Sequence, residues 1–231
     1  PFIAAAFDNV AVFEGGSPPH AAMRSVIWGG CDGDRSGIPR ELFRPGFGYE
    51  AYGRVLLERP LILKSRDGVM TYTGQRTGAE VYREGMDTQD IRHLLSMFFF
   101  DARAKQYIEL RAGDMLPPDM AFGYAAFIKG LFYHPDNLNM LGEMADHLDC
   151  ADHRRLLGDV QQAGVEALWQ GRPVREWMAD WAGRAIKGLK PQERVYVERL
   201  LPDIEAGRTP AMRTMEHADE GRQAFSWCLI K

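Results

Sequence analysis

Two adjacent prolines, Pro117 and Pro118, divide the chain into stretches that obey different periodicities. Beyond them, apolar residues recur at helical spacing almost to the end, predicting helices over roughly 119–133, 136–147, 151–169, 173–187, 191–206 and 210–226. Before them the chain is broken repeatedly by turn formers: Gly15-Gly16-Ser17-Pro18-Pro19, Gly29-Gly30, Gly33 to Gly37 and Arg44-Pro45-Gly46. Short elements joined by ordered loops are expected there. The 47–58 stretch has near-helical spacing, and Pro60 stops it. Asp67-Gly68, between the apolar runs 61–64 and 69–72, favours a hairpin. Residues 90–103 read as a helix, and the alternating run 104–110 reads as a strand. The expected class is α+β, with a sheet-contributing part over 1–118 and a helical C-terminal part of the same domain over 119–231.

Composition narrows the function. The 231 residues, 45% hydrophobic, can bury a substantial core. With 28 Lys and Arg against 32 Asp and Glu, the net charge of -4 offers no long-range attraction to nucleic acid or anionic lipid. No apolar run reaches the roughly 18 residues of a membrane span. Cys31, Cys150 and Cys228 are scattered and odd in number, which points to a reducing, cytoplasmic setting rather than a disulfide framework. The chain opens on Pro1-Phe2-Ile3 with an apolar segment under way, and a truncated chain is the simplest expectation.

Chemistry is sought where charges stand in a setting that should bury them. In the run Tyr107-Ile108-Glu109-Leu110-Arg111, strand periodicity puts Glu109 and Arg111 on one face and Ile108 and Leu110 on the other. A hard carboxylate oxygen can hold Mg²⁺, and an adjacent guanidinium can neutralise phosphate oxygens. The plain alternative is an exposed ion pair. A second cluster runs from Met23 to Gly37: Arg24, an apolar run ending in Trp28, then a Gly- and Asp-rich loop ending at Arg35. Asp32 and Asp34 lack the later glutamate of an EF-hand loop. Arg35 either grips an anionic substrate or fixes its own turn. His147, Cys150 and His153 would fan out over about 120° on a helix and make a poor zinc site. Trp169, Trp177 and Trp181 read as helix-packing core, and Cys31 has no basic neighbour but Arg35 to activate it.

Five segments in order carry a resemblance: Met23-Arg24-Ser25-x-Ile27-Trp28; Asp32-x-Asp34-Arg35-x-Gly37; Phe47-Gly48-Tyr49-Glu50-x-Tyr52; Arg103-x-Lys105-x-Tyr107-Ile108-Glu109-Leu110-Arg111; and Gly130-Leu131-x-Tyr133. Over most of 1–215 the chain resembles the plant- and proteobacterial-type glutamate–cysteine ligases, and its Tyr-Ile-Glu-Leu-Arg strand resembles the metal-and-phosphate strand of the wider glutamine synthetase superfamily. The resemblance implies a partial glutamine synthetase-like antiparallel sheet. It also implies an ATP- and Mg²⁺-dependent ligase that joins the γ-carboxylate of glutamate to an amine such as cysteine through an acyl phosphate, the first step of glutathione-type biosynthesis. Glu109 then matches the Mg²⁺ ligand and Arg111 the phosphate-contacting arginine. Arg24 matches an arginine that holds the acidic substrate and the transferred phosphoryl group, with Arg35 and Trp28 as further substrate contacts. Partners would be amino acids and ATP, with homodimerisation as a further option. The family draws further carboxylate ligands from strands preceding the part matched here, so the chain corresponds to a C-terminal half and is expected to be inactive alone.

Departures from the family pattern leave another reading open. Gly29-Gly30-Cys31-Asp32 replaces an acidic run, Ile62 falls where the family has a substrate-contacting tyrosine, and 112–118 lacks the family's basic residues. A site that loses a polar contact of that kind changes specificity strongly. A substrate-diverged or non-catalytic paralogue, acting as a binding or interaction domain, is the alternative.

Overall fold

The computed structural model describes residues 1–228 and has an α+β architecture made of two compact units. One comprises Pro1–Val26 with the chain from Gly113 onward, and the other comprises Ile27–Ala112.

The first unit is helical because its apolar residues repeat at three and four positions. In the helix Val174–Gly188 the buried residues are Val174, Met178, Ala182 and Ala185, and in Pro118–Phe132 they are Gly123, Phe127, Gly130 and Leu131. These stripes pack together with Phe2, Phe7, Leu156, Val160, Val197 and Leu200 in one core. Trp169, Trp177 and Trp181 gather around Phe2, with ring centroids 5.3, 6.4 and 5.0 Å away, so the tryptophans are core as their spacing suggests. Asn137, itself buried, donates from Nδ2 to the carbonyls of Gly130 (2.9 Å) and Arg184 (3.1 Å), satisfying helix backbone on both sides. No helix among the described residues is long and apolar enough to cross a membrane.

Gly130 is where the two long helices come closest. A Cβ there would stand 2.7 Å from the Ala185 Cα and closer still to its carbonyl oxygen, backbone atoms that cannot step aside. Gly130→Ala is therefore expected to destabilise the unit by about 3 kcal/mol, the upper range for overpacking. For a chain of this size that is a fall of roughly 6–12 °C in melting temperature, readable by calorimetry. An unchanged transition would show that the helices separate at no cost.

The second unit packs the helices Tyr49–Glu58 and Thr88–Ser96 over a core of Tyr52, Val55, Leu56, Leu61, Leu94, Met97, Phe98 and Phe100. A capping box between Asp87 and Asp90 starts the second helix. The strands form two-stranded pairs rather than one continuous sheet. Leu63–Arg66 pairs antiparallel with Val69–Tyr72 around Asp67 (φ 51°) and Gly68 (φ 77°), a left-handed pair that confirms the Asp-Gly hairpin. Ser36–Gly37 pairs parallel with Phe99–Phe100.

Several expectations need correction, two of them late helices: 191–206 breaks at 199–200 into Pro191–Glu198 and Leu201–Glu205, and 210–226 is α-helical only over Pro210–Met215. The 90–103 helix ends at Ser96, because Phe98 and Phe100 turn into the core and the chain runs on extended as Phe99–Phe100 and Ala102–Ala104. The 104–110 strand is instead the second half of a hairpin, Ala102–Ala104 with Ile108–Leu110, joined through 105–107. The 151–169 helix, observed as Cys150–Ala163, stops at Gly164 (φ 57°), and Leu168–Trp169 then pairs with Arg172–Pro173 around Gln170 (φ 53°) and Gly171 (φ 76°). Gly29, Gly30 and Cys31 lie in the helix Met23–Cys31 and not in a turn, and neither glycine has a positive φ.

Candidate functional site

The hairpin Ala102–Ala104/Ile108–Leu110 carries the densest charge chemistry of the second unit. Its register sets Arg103 opposite Glu109, so the pair projects from one face. Arg103 Nη2 and Nε donate to Glu109 Oε2 at 2.6 and 3.2 Å, Lys105 Nζ lies 3.1 Å from the same oxygen, and Arg111 Nη1 donates to Oε1 at 2.5 Å. Glu109 and Arg111 thus share a face as their two-residue spacing requires. Three cations surround one carboxylate.

These groups are sheltered to different degrees. Arg103 is 6% exposed, and its third nitrogen, Nη1, donates to the Phe98 carbonyl at 2.9 Å. The side chains of Glu109, Lys105 and Arg111 are half-buried. Arg111 lies over the Trp28 and Phe99 rings, 5.2 and 5.6 Å from their centroids, and Trp28 meets Phe99 edge-on. Aromatic faces hold a guanidinium in place without neutralising it. Desolvation raises the Glu109 pKa, but the hydrogen bonds from Arg103, Arg111 and Lys105 outweigh it and hold the carboxyl at about 2. Glu109 is ionised throughout the physiological range.

Arg24 belongs to the first unit and has its own carboxylate frame. Its backbone N–H donates to Asp8 Oδ1 at 3.2 Å, and its Nε faces Asp114 Oδ1 at 3.8 Å. Asp114 is itself held by the Asn9 N–H, 3.1 Å from Oδ2. Asp8 is 2% exposed and serves the start of the Met23–Cys31 helix as a remote cap, accepting also from the Val10 N–H at 3.3 Å. Burial pushes its carboxyl up to about 6, the Arg24 amide pulls the other way, and the negative charge of Asp114 adds to the rise. Neither Asp8 nor Asp114 stood out in the sequence as a site residue, although a lone acid closing the apolar run Phe2–Phe7 was the available signal.

Arg35 is spoken for inside its own loop. Its Nε and Nη2 bond Asp32 Oδ2 at 2.8 and 2.5 Å, and Nη1 donates to the Pro60 carbonyl at 2.7 Å. This is the turn-fixing arrangement. Trp28 is half-buried and contributes the ring beneath Arg111. Cys31 closes its helix with Sγ 3.2 Å from the Ile27 carbonyl, and Cys31 and Cys150 are free thiols. His153 is buried enough that its pKa falls to about 4, so it is neutral at physiological pH.

The hairpin of this α+β chain thus carries one carboxylate bonded by two arginines and a lysine. A model of glutamate-cysteine ligase family 2 (GCS2) matches residues 1–225, and the chain belongs to that family. It is 26% identical to the chloroplastic glutamate–cysteine ligases of Brassica juncea and of Arabidopsis thaliana over 227 residues, covering 94% of this chain and 44% of each relative. Against the enzyme of Nicotiana tabacum it is 24% identical over 235 residues, 96% of this chain and 45% of the relative. The chain thus spans less than half the length of the curated relatives it matches.

At the level of the family, ATP and a divalent metal are implied. Among the described residues no three His, Cys, Asp or Glu side chains converge to hold a metal ion. Glu109 nevertheless fits one ligand position, because Mg²⁺ is commonly held by one or two carboxylates with substrate phosphates supplying other oxygens. Its carboxylate is hard and ionised, with the Arg111 guanidinium beside Oε1.

Proposed function

We propose that the protein acts in ATP-dependent ligation, joining the γ-carboxylate of glutamate or a similar acid to an amine such as cysteine through an acyl phosphate. The observation that carries the proposal is the Glu109 carboxylate bonded at 2.5 Å to Arg111 on one hairpin face, with Arg103 and Lys105 on its other oxygen. A bound Mg²⁺–ATP would supply the electrophilic phosphoryl group. The protein's part is positioning and charge neutralisation, the main requirements of phosphoryl transfer. Glu109 is the metal ligand and Arg111 contacts the phosphate; the role of Arg24, which belongs to the other unit, is read from its family match alone, as a hold on the acidic substrate. Trp28 supports Arg111. Arg35 shapes the loop after Cys31 and reaches substrate only by releasing Asp32 or Pro60. The scattered cysteines favour a reducing compartment such as the cytoplasm, and the partners are amino acids and nucleotide.

The test is ADP release by the intact protein with ATP, Mg²⁺, glutamate and a panel of amines. Release that requires both acid and amine is expected, and its absence with every amine contradicts the proposal. One observation favours a second reading, a non-catalytic or substrate-diverged paralogue: Ile62, 40% exposed, offers no hydroxyl where the family's tyrosine would contact substrate. Calorimetric titration with Mg–ATP tests its non-catalytic form, which nucleotide binding that depends on Glu109 contradicts, and the amine and acid panel tests the substrate-diverged form. Ile62→Tyr is expected to lower the apparent KM for the acid substrate by about tenfold, the worth of one recovered hydrogen bond of about 1.5 kcal/mol; an unaltered KM would remove Ile62 from the substrate's surroundings.

A further inference from the structure

We propose that Arg103 is a positioning residue that fixes the Glu109 carboxylate, leaving the Oε1 edge and Arg111 to face ligand. The inference rests on the proposed ligation function and assigns within it a residue that touches neither metal nor phosphate.

Arg103 differs from the other two cations in what it can do. All three of its guanidinium nitrogens are committed: Nε and Nη2 to one oxygen of Glu109, and Nη1 to the Phe98 carbonyl. Its guanidinium also lies over the Phe99 ring, 5.5 Å from the centroid. At 6% exposure it cannot reach a soluble ligand without dismantling that frame. Phe98 is itself fully buried, so the chain of contacts ties the carboxylate to the core of the unit. Tyr52, a member of that core, steadies the same strand, with its hydroxyl accepting from the Ala104 N–H at 3.3 Å.

The carboxylate needs such an anchor. Glutamate has three side-chain torsions, and free rotation would spread its oxygens over many positions. A guanidinium that donates from two nitrogens of its rigid fork to a single oxygen fixes the place of that oxygen, which a lysine ammonium on a flexible stem does less well. The division of labour follows from the oxygens: Arg103 holds Oε2, while Oε1 points to the less sheltered Arg111. Lys105, on Oε2 with Arg103, adds charge from a flexible stem and no geometry of its own.

The test is a double-substitution cycle in the intact protein, with ADP affinity measured by calorimetry with and without Mg²⁺. Arg103→Lys is expected to weaken ADP binding about tenfold in the presence of Mg²⁺ and to leave Mg²⁺-free binding unchanged. Glu109→Gln should do the same, and the double variant should be no worse than Glu109→Gln alone, because Arg103 acts through that carboxylate. Equal weakening with and without Mg²⁺, or losses that add in the double variant, would show a merely structural role and overturn the inference. If Glu109→Gln changes nothing, the ligation reading fails with it; if only Arg103→Lys is silent, the inference alone fails. Should Arg103→Lys not fold, the Arg103 Nε–H resonance in the unaltered protein decides. A shift on adding Mg–ADP but not ADP alone, lost in Glu109→Gln, supports the proposal, and a resonance indifferent to Mg²⁺ contradicts it.

Discussion

Replacing Glu109 by alanine is expected to lower ADP release by about a thousandfold. A metal ligand at a phosphoryl-transfer site accounts for several kcal/mol of barrier, and each 1.36 kcal/mol is a factor of ten. The same change removes the partner of a buried guanidinium: Arg103, 6% exposed, would keep only the Phe98 carbonyl. Breaking one side of a fully buried pair costs about 3–5 kcal/mol, and less here because Glu109 is partly exposed, so Glu109→Ala should also melt earlier. Glu109→Gln separates the two effects. Its amide oxygen still accepts from Arg103, the melting temperature should fall by only a few degrees, and activity should drop nearly as far as in the alanine variant. Activity retained in Glu109→Gln, measured by coupled ADP release, would mean that the charge of this carboxylate is not used in the reaction.

A second large effect is expected at Asp8. Its folded pKa, about 6, stands above the ordinary 3.8 of an aspartate. The folded state therefore holds the proton more tightly than the unfolded chain does. The stability linked to Asp8 is fully present below about pH 4, is lost as pH rises towards 6, and stays lost above that. Two pH units of mismatch correspond to about 3 kcal/mol. The groups facing this carboxylate are Asp114 and Arg24 and the amides of Arg24 and Val10. Asp8→Asn has no proton to exchange, so the stability of the asparagine variant relative to the unaltered protein should grow by about 3 kcal/mol between pH 4 and 7. Urea unfolding at a series of pH values measures this directly. A difference that stays flat would mean that water or rearrangement solvates Asp8 after all. Glu109 works in the opposite sense and in another window: its lowered pKa makes its contribution fade only as pH falls from about 4.5 towards 2.

The helical part was legible because its apolar spacing persists for several turns, and the 63–72 hairpin because Asp-Gly demands left-handed backbone at two adjacent positions. The shared face of Glu109 and Arg111 followed from strand alternation alone. What alternation could not show was the reversal at 105–107, since residues on both sides of a tight hairpin also alternate. Missing that turn hid Arg103 and Lys105, whose partnership with Glu109 exists only across the hairpin. The Arg35 ambiguity had a similar source: whether its guanidinium grips a ligand or a carbonyl depends on where Pro60 lies, which sequence spacing does not encode. Asp8 carries no such signal in the sequence, because its role lies sixteen residues away, at the amide of Arg24. The Gly29-Gly30 step reads as a turn because glycine weakens helices, but the flanking residues carry the helix through it.

The most direct measurement is an anomalous-difference map from crystals of the intact protein grown with ADP and Mn²⁺, which accepts the same oxygen ligands as Mg²⁺. The account predicts a metal peak within about 2–2.5 Å of a Glu109 carboxylate oxygen, the range for such ions, with a phosphate oxygen at hydrogen-bond distance from Arg111. Nucleotide bound with its metal away from Glu109, while Arg103, Lys105 and Arg111 still enclose the carboxylate, would contradict it.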